Sequence, residues 1–102
     1  MLVNDAQPDS AVGDPIDIGL IRYAETRGVR VEDVRRDHPV VGDRPFDSAW
    51  KFARVTVQRE ADTVSYLKGA PEILMPLCGL SDEERARWYG IAEERAAEGL
   101  RV

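Results

Sequence analysis

Two short segments of this 102-residue chain place a lysine beside a residue that could contact a flat, anionic ligand. In residues 45–51, Phe46 precedes a polar turn and Lys51 follows five positions later, so a phenyl ring could stack on the ligand beside an ammonium group. In residues 68–72, a lysine precedes Gly69, where a backbone without Cβ allows close approach. The simpler alternatives are a core phenylalanine with a surface lysine, and an ordinary strand-to-helix turn.

Both lysines of the chain lie in these two segments. Twelve of the fourteen basic residues are arginine, and only Lys51 and Lys68 are lysine. Lysine offers a compact ammonium with three donors, whereas arginine offers a planar fork. Because the chain otherwise uses arginine, the two lysines are the first positions at which we expect a ligand contact.

A third segment, residues 13–17, joins a helix start to a carboxylate. Asp14 suits the N-cap and Pro15 suits the first helical position. Asp17 falls where the carboxylate of a capping box would stand, and the same group could accept a hydrogen bond from an exocyclic amine of a ligand. Both interpretations of Asp17 are open at this point.

Composition disfavours several classes of function. A net charge of −5 argues against a nucleic-acid binder, which needs a basic surface. A single cysteine, Cys78, permits neither a disulfide nor a cysteine-cluster metal site within the chain. The single histidine, His38, is forty positions away, so no nucleophile and base are visible for a hydrolase. The absence of a long apolar run or signal peptide predicts a soluble domain without direct membrane contact.

Start and stop signals predict two helices before residue 40. The first begins at Pro15, carries apolar residues at helical spacing and ends near Gly28. Residues 31–37 predict a short helix that ends before Pro39, and a strand beginning at Val29 is the alternative.

The middle of the chain has the pattern of β-strands. Residues 40–46 predict an edge strand because the segment combines valines with Gly and Pro, which edge strands tolerate. Residues 52–59 and 63–68 predict a hairpin whose turn is residues 60–62. The apolar residues that share one face of each hairpin strand are Val55, Val57, Val64 and Tyr66.

Two more helices are predicted after the hairpin. Pro71 opens a helix that Pro76 keeps short. Residues 81–84 form a capping-box sequence that starts a longer helix, which Gly99 ends. The predicted apolar stripe of that helix is Ala86, Tyr89, Ala92 and Ala96.

The element order predicts an α+β fold in which helices flank an antiparallel β-sheet. Residues 100–102 look like the first residues of another strand. We therefore expect residues 1–102 to be a single domain excised from a longer polypeptide.

These three segments and a fourth at residues 99–102 together resemble the nucleotide-binding domain of P-type cation-transporting ATPases. The matching sequences, in the family's order, are Gly13-Asp14-Pro15, Pro45-Phe46-Asp47-Ser48 with Lys51, Lys68-Gly69-Ala70-Pro71-Glu72 and Gly99-Leu100-Arg101-Val102. They span essentially the whole chain. The pairing of Phe-Asp-Ser…Lys with Lys-Gly-Ala-Pro-Glu is specific, and it is typical of the calcium-pump-like, type II group and its bacterial relatives.

The resemblance implies an ATP pocket on one face of the sheet. Phe46 would stack on adenine, Lys68 would lie near the base, and Lys51 would lie toward the ribose and phosphates. Mg²⁺ would be held mainly by the phosphates of ATP. The implied ATP-binding residues are Asp17, Phe46, Lys51, Lys68, Gly69 and Arg101.

The other implied roles come with two departures from the family pattern. Gly69 would let the backbone approach the nucleotide, Asp17 would stand where the family has a glutamate near adenine, and Arg101 would meet the phosphates. Ile16 stands where the family usually has threonine, and Trp50 where it usually has arginine. The first departure could remove one polar contact near the base, and the second could reshape the pocket rim.

The resemblance implies a piece of an ATP-hydrolysing pump rather than a complete enzyme. These 102 residues contain no Asp-Lys-Thr-Gly-Thr motif, the segment that the family phosphorylates. The fragment would bind ATP without catalysis and present its γ-phosphate to a separate phosphorylation domain. Its partners would be the phosphorylation and membrane domains of the same parent chain, at the cytoplasmic face of the cell membrane, with the isolated domain a monomer.

A function of a different class competes with ATP binding. The chain could be an acidic protein-interaction domain whose nucleotide pocket is degenerate, and the departures at Ile16 and Trp50 would favour it. ATP-dependent changes confined to Phe46, Lys51 and Lys68 would separate the two functions.

Overall fold

A computed structural model describes Asn4, Ala6, Gln7 and residues 13–102 of the chain. Three strands form one antiparallel sheet in the order β1-β2-β3, accompanied by helices. This arrangement confirms the predicted α+β class. In chain order, the elements are α1 (Pro15–Thr26), α2 (Val31–Asp37), β1 (Val40–Arg44), β2 (Phe52–Arg59), β3 (Asp62–Gly69), α3 (Pro71–Leu74), a 3-10 turn (Met75–Leu77) and α4 (Asp82–Ala97).

The described residues divide into two compact units. The first contains the described residues up to Arg44 together with Arg54–Tyr66, and the second contains Pro45–Ala53 and Leu67–Val102. Phe46, Lys51, Lys68 and Gly69 therefore all belong to the second unit. That residues 1–102 form a single domain stays a prediction.

Apolar residues at helical and strand spacing build the interior of the first unit. Ile21 of α1 and Val31 of α2 are buried together with Ala6, and Ile18 packs against them. Val55 and Val57 are the buried residues of β2. Their spacing of two confirms the predicted alternation, because side chains at i and i+2 share one face of a strand.

Helix α1 begins and ends where its capping residues predict. The carboxylate of Asp14 accepts a hydrogen bond from the N–H of Ile16 at 2.8 Å, and Pro15 occupies the first helical position. At the other end, Gly28 has φ +82°, a conformation that residues with a Cβ rarely adopt. The N–H groups of Gly28 and Val29 donate to carbonyls of the last turn at 2.9 and 3.0 Å, which completes a Schellman cap.

Helix α4 begins at the predicted capping box. The N–H of Glu84 donates to the Ser81 hydroxyl at 3.2 Å, and the N–H of Ser81 donates to the Glu84 carboxylate at 2.9 Å. The backbone N–H of Ser81 first, and then its hydroxyl, stabilise the ionised carboxylate and hold the pKa of Glu84 below its usual value. The ionised carboxylate of Glu84 therefore stabilises the folded state.

We expect the stability that Glu84 contributes to depend on pH. Its folded pKa lies below its unfolded value of about 4.3, so the contribution is complete above that value and disappears as pH falls through the folded pKa. Urea unfolding should show wild type more stable than Glu84→Gln at neutral pH, with the gap closing in acid. A gap that is constant with pH would contradict this.

The cap itself provides a second comparison at neutral pH. Ser81→Ala should lower the free energy of unfolding by about 1 kcal/mol because the N–H of Glu84 loses its acceptor. Ser81→Thr keeps a hydroxyl and should retain most of the stability.

Three sequence predictions need correction. The hairpin turn has two residues rather than three, because Asp62 already belongs to β3. Of the predicted α4 stripe, Ala86 and Ala96 are exposed, since the four-residue helix α3, which α4 contacts, cannot cover a sixteen-residue helix. Residues 100–102 form no strand, and the N–H of Leu100 instead donates to the Arg95 carbonyl at 3.1 Å as part of the helix cap.

Candidate adenine-nucleotide site

Phe46 lies in the loop between β1 and β2 and leaves 65% of its surface exposed. The alternative of a core phenylalanine is therefore wrong. An exposed aromatic ring gains apolar burial when a flat ligand covers it, and it can stack on any base because every base has a π face. The ring is thus available for the contact that the sequence predicts.

Residues 47–51 form a closed turn that fixes the backbone of Lys51. The Asp47 carboxylate accepts a hydrogen bond from the N–H of Ala49, and the Asp47 carbonyl accepts one from the N–H of Lys51, both at 2.6 Å. Lys51 has φ +60° and its side chain is exposed. A left-handed conformation costs a residue other than glycine about 1–2 kcal/mol, so the surrounding bonds must hold it.

Gly69 lies against the end of this turn. A Cβ on Gly69 would stand 2.9 Å from the carbonyl oxygen of Lys51 and 2.9 Å from Cβ of Phe52. Contacts below 3.0 Å essentially do not occur for real Cβ atoms, and one of these partners is backbone. Close packing within the protein therefore requires glycine here, and the predicted approach of a nucleotide to Gly69 stays a prediction.

The contact at Gly69 joins the two lysine-bearing segments. Lys68 is the residue before Gly69 in β3 and its side chain is exposed. Lys51 is part of the backbone that packs on Gly69, and its ammonium makes no ion pair with any described residue. The fold thus brings together two segments that are seventeen residues apart in the sequence, and each carries one of the two lysines.

The other predicted site residues belong to other parts of the chain. Asp17 is half-buried in the first unit, where its carbonyl accepts a hydrogen bond from the side-chain amide of Asn4 at 2.9 Å. Arg101 is exposed beyond the end of α4. Of the two departures, Ile16 is 42% exposed and Trp50 is half-buried. The roles of Asp17 and Arg101 toward a nucleotide stay predictions.

Sequence reasoning assigned no role to two residues that hold chain segments in place, Asp47 in the turn before β2 and Arg35 in the first unit. Asp47 makes both turn-closing bonds, and its position just after Phe46 in a polar turn is the signal that could have identified it, since Asp side chains often close turns onto their own backbone. Arg35 donates to the carbonyls of Asn4 and Ala6 at 2.7 and 3.1 Å. No local signal marks Arg35, because its partners are about thirty residues away.

The described residues were also searched for cavities, metal-ligand clusters and membrane-spanning helices. A depression of about 260 Å³ in the first unit is lined by residues from Glu25 to Glu32 and includes none of the predicted site residues. Within residues 13–102 and the three described residues before them, no cluster of three or more potential metal ligands occurs. No helix in the described part of the chain has the length and apolar character that crossing a membrane requires.

Comparison with known protein families covers almost the entire chain. Residues 3–102 match the family described as P-type ATPase, cytoplasmic domain N. The chain belongs to this family. The Lys51 and Gly69 segments therefore come from a P-type ATPase domain.

Curated relatives of this P-type ATPase domain are much longer proteins. The chain is 32% identical to a probable cation-transporting P-type ATPase of Mycoplasma pneumoniae over 89% of its own length and 10% of the relative's. It is 31% identical to calcium-transporting ATPase 1 of Lactococcus lactis (76% and 9%) and 31% identical to a calcium-transporting ATPase of Bacillus subtilis (88% and 11%). The chain thus spans about a tenth of the length of the curated relatives it matches. No solved structure gives a significant match.

Proposed function

We propose that this domain binds ATP through the adenine end and presents the γ-phosphate to a separate phosphorylation domain of the same polypeptide. The observation that carries the proposal is the exposure of Phe46 beside a turn that packs on Gly69. Membership of the P-type ATPase family and the names of the relatives support it. The whole protein would then be an ATP-hydrolysing cation pump with this domain at the cytoplasmic face of the membrane.

The residues of the second unit fit the chemistry of an adenine nucleotide. An exposed phenyl ring suits a purine face, and an exposed ammonium that pairs with no carboxylate among the described residues suits ribose hydroxyls and phosphate oxygens. Lys51 would supply that ammonium, and Lys68 would provide a second positive charge near the base. Gly69, Asp17 and Arg101 complete the proposed set on the strength of the family resemblance.

The proposed role of these residues is binding and orientation. By holding the base, they would fix the position of the distal phosphates relative to a reacting group on another domain, which is a proximity contribution to catalysis. Mg²⁺ neutralises phosphate charge, and it characteristically binds phosphates with few protein ligands. The domain's own side chains would therefore hold the nucleotide, and Mg²⁺ would enter with it.

The proposal extends to the class of pump but not to one ion. Relatives of similar identity are named calcium-transporting and sodium/potassium-exporting ATPases, which differ in cargo. We propose a bacterial, type II pump related to calcium-transporting ATPases. The cation itself is left open, because the residues described here include no metal-ligand cluster that would select it.

We expect weak binding that depends little on the number of phosphates. One base stack contributes about 1–3 kcal/mol and each partly exposed charged hydrogen bond about 1.5–3 kcal/mol. After association costs, roughly 4–6 kcal/mol remains, which corresponds to a Kd between about 1 mM and tens of micromolar. Because most of this energy comes from the base end, ADP and AMP should bind within about threefold of ATP.

Tryptophan fluorescence can measure this series. Trp50 lies between Phe46 and Lys51, and the second tryptophan, Trp88, lies on α4, so Trp88→Phe leaves a single reporter at the site. Titration with MgATP, MgADP and AMP should change its emission with similar midpoints. No change up to about 10 mM nucleotide from a protein folded by circular dichroism would contradict the proposal and favour a protein-interaction domain.

A further inference from the structure

Asp47 accepts two hydrogen bonds in the turn that precedes β2. Its carboxylate accepts from the N–H of Ala49 and its carbonyl accepts from the N–H of Lys51, at 2.6 Å each. The side chain of Asp47 therefore holds the middle of the turn, and its backbone carbonyl holds the end. Asp47 as a residue is half-buried, whereas Phe46 and Lys51 on either side are exposed.

The conformation of Lys51 explains why hydrogen bonds must hold this turn. Lys51 has φ +60°, a region that only glycine enters freely, and in the described chain only one other residue with a side chain, Glu60, has a positive φ. Released from its bonds, Lys51 would return to negative φ and change the direction of its side chain. The packing of the Lys51 carbonyl on Gly69 would be lost at the same time.

A direct contact between Asp47 and the phosphates is an unattractive explanation for this residue. A carboxylate repels phosphate oxygens, so an aspartate beside a nucleotide site weakens binding unless it performs another task. The side-chain hydrogen bond from Ala49 supplies that task, since it needs an acceptor oxygen at this distance from the backbone and not a negative charge.

We propose that Asp47 is a positioning residue for nucleotide binding: it closes the turn that holds Lys51 in its left-handed conformation and so aims the Lys51 ammonium at the nucleotide. This inference rests on the proposed ATP-binding function. It adds that geometry at residue 47, rather than charge, controls how well the phosphate-bearing part of the ligand is held.

Three substitutions separate geometry from charge. Asp47→Asn keeps an acceptor oxygen at the same distance and removes the charge, Asp47→Glu keeps the charge and moves the oxygen, and Asp47→Ala removes both. The MgATP affinity of Asp47→Asn should stay within about twofold of wild type. The MgATP affinities of Asp47→Glu and Asp47→Ala should fall about three- to tenfold, which is the loss typical of one charged hydrogen bond that is weakened but not abolished. The titrations use the full 102-residue chain.

Adenosine supplies the readout that a general structural defect would not reproduce. It carries the base and the ribose but no phosphate, so misplacing Lys51 should lower its affinity clearly less than that of ATP. The ratio of ATP affinity to adenosine affinity should therefore fall in Asp47→Ala and Asp47→Glu and stay at the wild-type value in Asp47→Asn. Equal losses for ATP and adenosine, or an Asn variant as weak as Ala, would overturn the assignment.

A measurement on the wild-type chain covers the case in which a variant does not fold. The amides of Ala49 and Lys51 should exchange hydrogen about tenfold more slowly than that of Ser48, the residue before Ala49, because they are bonded to Asp47. Equal exchange at the three amides would overturn the inference. If wild type binds no ATP, the proposed function itself fails; if wild type binds and Asp47→Ala binds equally well, only the role of Asp47 fails.

Discussion

Replacing Gly69 with alanine should lower the free energy of unfolding by about 1–3 kcal/mol, the range for forcing an extra carbon into a packed site. The new Cβ would meet the carbonyl oxygen of Lys51 and Cβ of Phe52 at 2.9 Å, and the backbone of Lys51 cannot yield as a flexible side chain would. The Lys51 turn must therefore move. Urea unfolding gives the stability, and the amide shifts of residues 47–52 show whether the turn is displaced.

Two other glycines serve as controls for the Gly69 substitution. Gly42 also lies in a strand, but a Cβ there would be an ordinary 3.6 Å from Thr56, so Gly42→Ala should change stability little. Gly90 lies inside α4 with open space around its Cβ position, so Gly90→Ala should stabilise the protein by about 0.5–1 kcal/mol. Gly69→Ala as stable as Gly42→Ala, with unmoved shifts, would contradict the close packing at Gly69.

Replacing Phe46 with alanine should abolish most of the nucleotide affinity and leave the fold intact. The ring is 65% exposed, so stability should change by less than about 0.5 kcal/mol. Loss of one base stack should weaken ATP, ADP and AMP together by about 1–3 kcal/mol, which is five- to 150-fold. Calorimetry or tryptophan fluorescence measures the affinities, and chemical unfolding measures the stability.

Tyr23 gives a matched control for Phe46→Ala. It is an aromatic residue with almost the same exposure, 64%, but it lies on α1. Tyr23→Ala should leave ATP affinity unchanged, and Phe46→Trp should restore much of the affinity lost in Phe46→Ala. Equal ATP affinity in wild type and a folded Phe46→Ala protein would remove Phe46 from the proposed site.

Local signals in the sequence were sufficient for much of the fold. The Asp14 and Ser81 caps and the glycines after α1 and α4 act within a few residues of themselves, so they placed both helices closely. The alternating valines likewise identified β2. The prediction of a C-terminal strand was wrong. The N–H of Leu100 could bond either to a neighbouring strand or to the end of α4, and in the structure it donates to the Arg95 carbonyl in the Schellman cap at Gly99.

The geometry of the candidate site depends on contacts that no local pattern encodes. Phe46 and the lysines were recognised by type and spacing, and the exposure of Phe46 excludes the core alternative that the sequence left open. The packing of Lys51 on Gly69 joins residues eighteen positions apart, and the left-handed φ of Lys51 runs against the preference of lysine. Both features come from the tertiary structure.

Amide NMR titration of the 102-residue chain with MgATP tests the central claim most directly. If this P-type ATPase domain binds ATP as proposed, saturable shifts should cluster at residues 46–51 and at Lys68 and Gly69, with midpoints between tens of micromolar and about 1 mM. The same titration of Phe46→Ala should lose most of these shifts. A well-dispersed wild-type spectrum that millimolar MgATP leaves unchanged would contradict the claim.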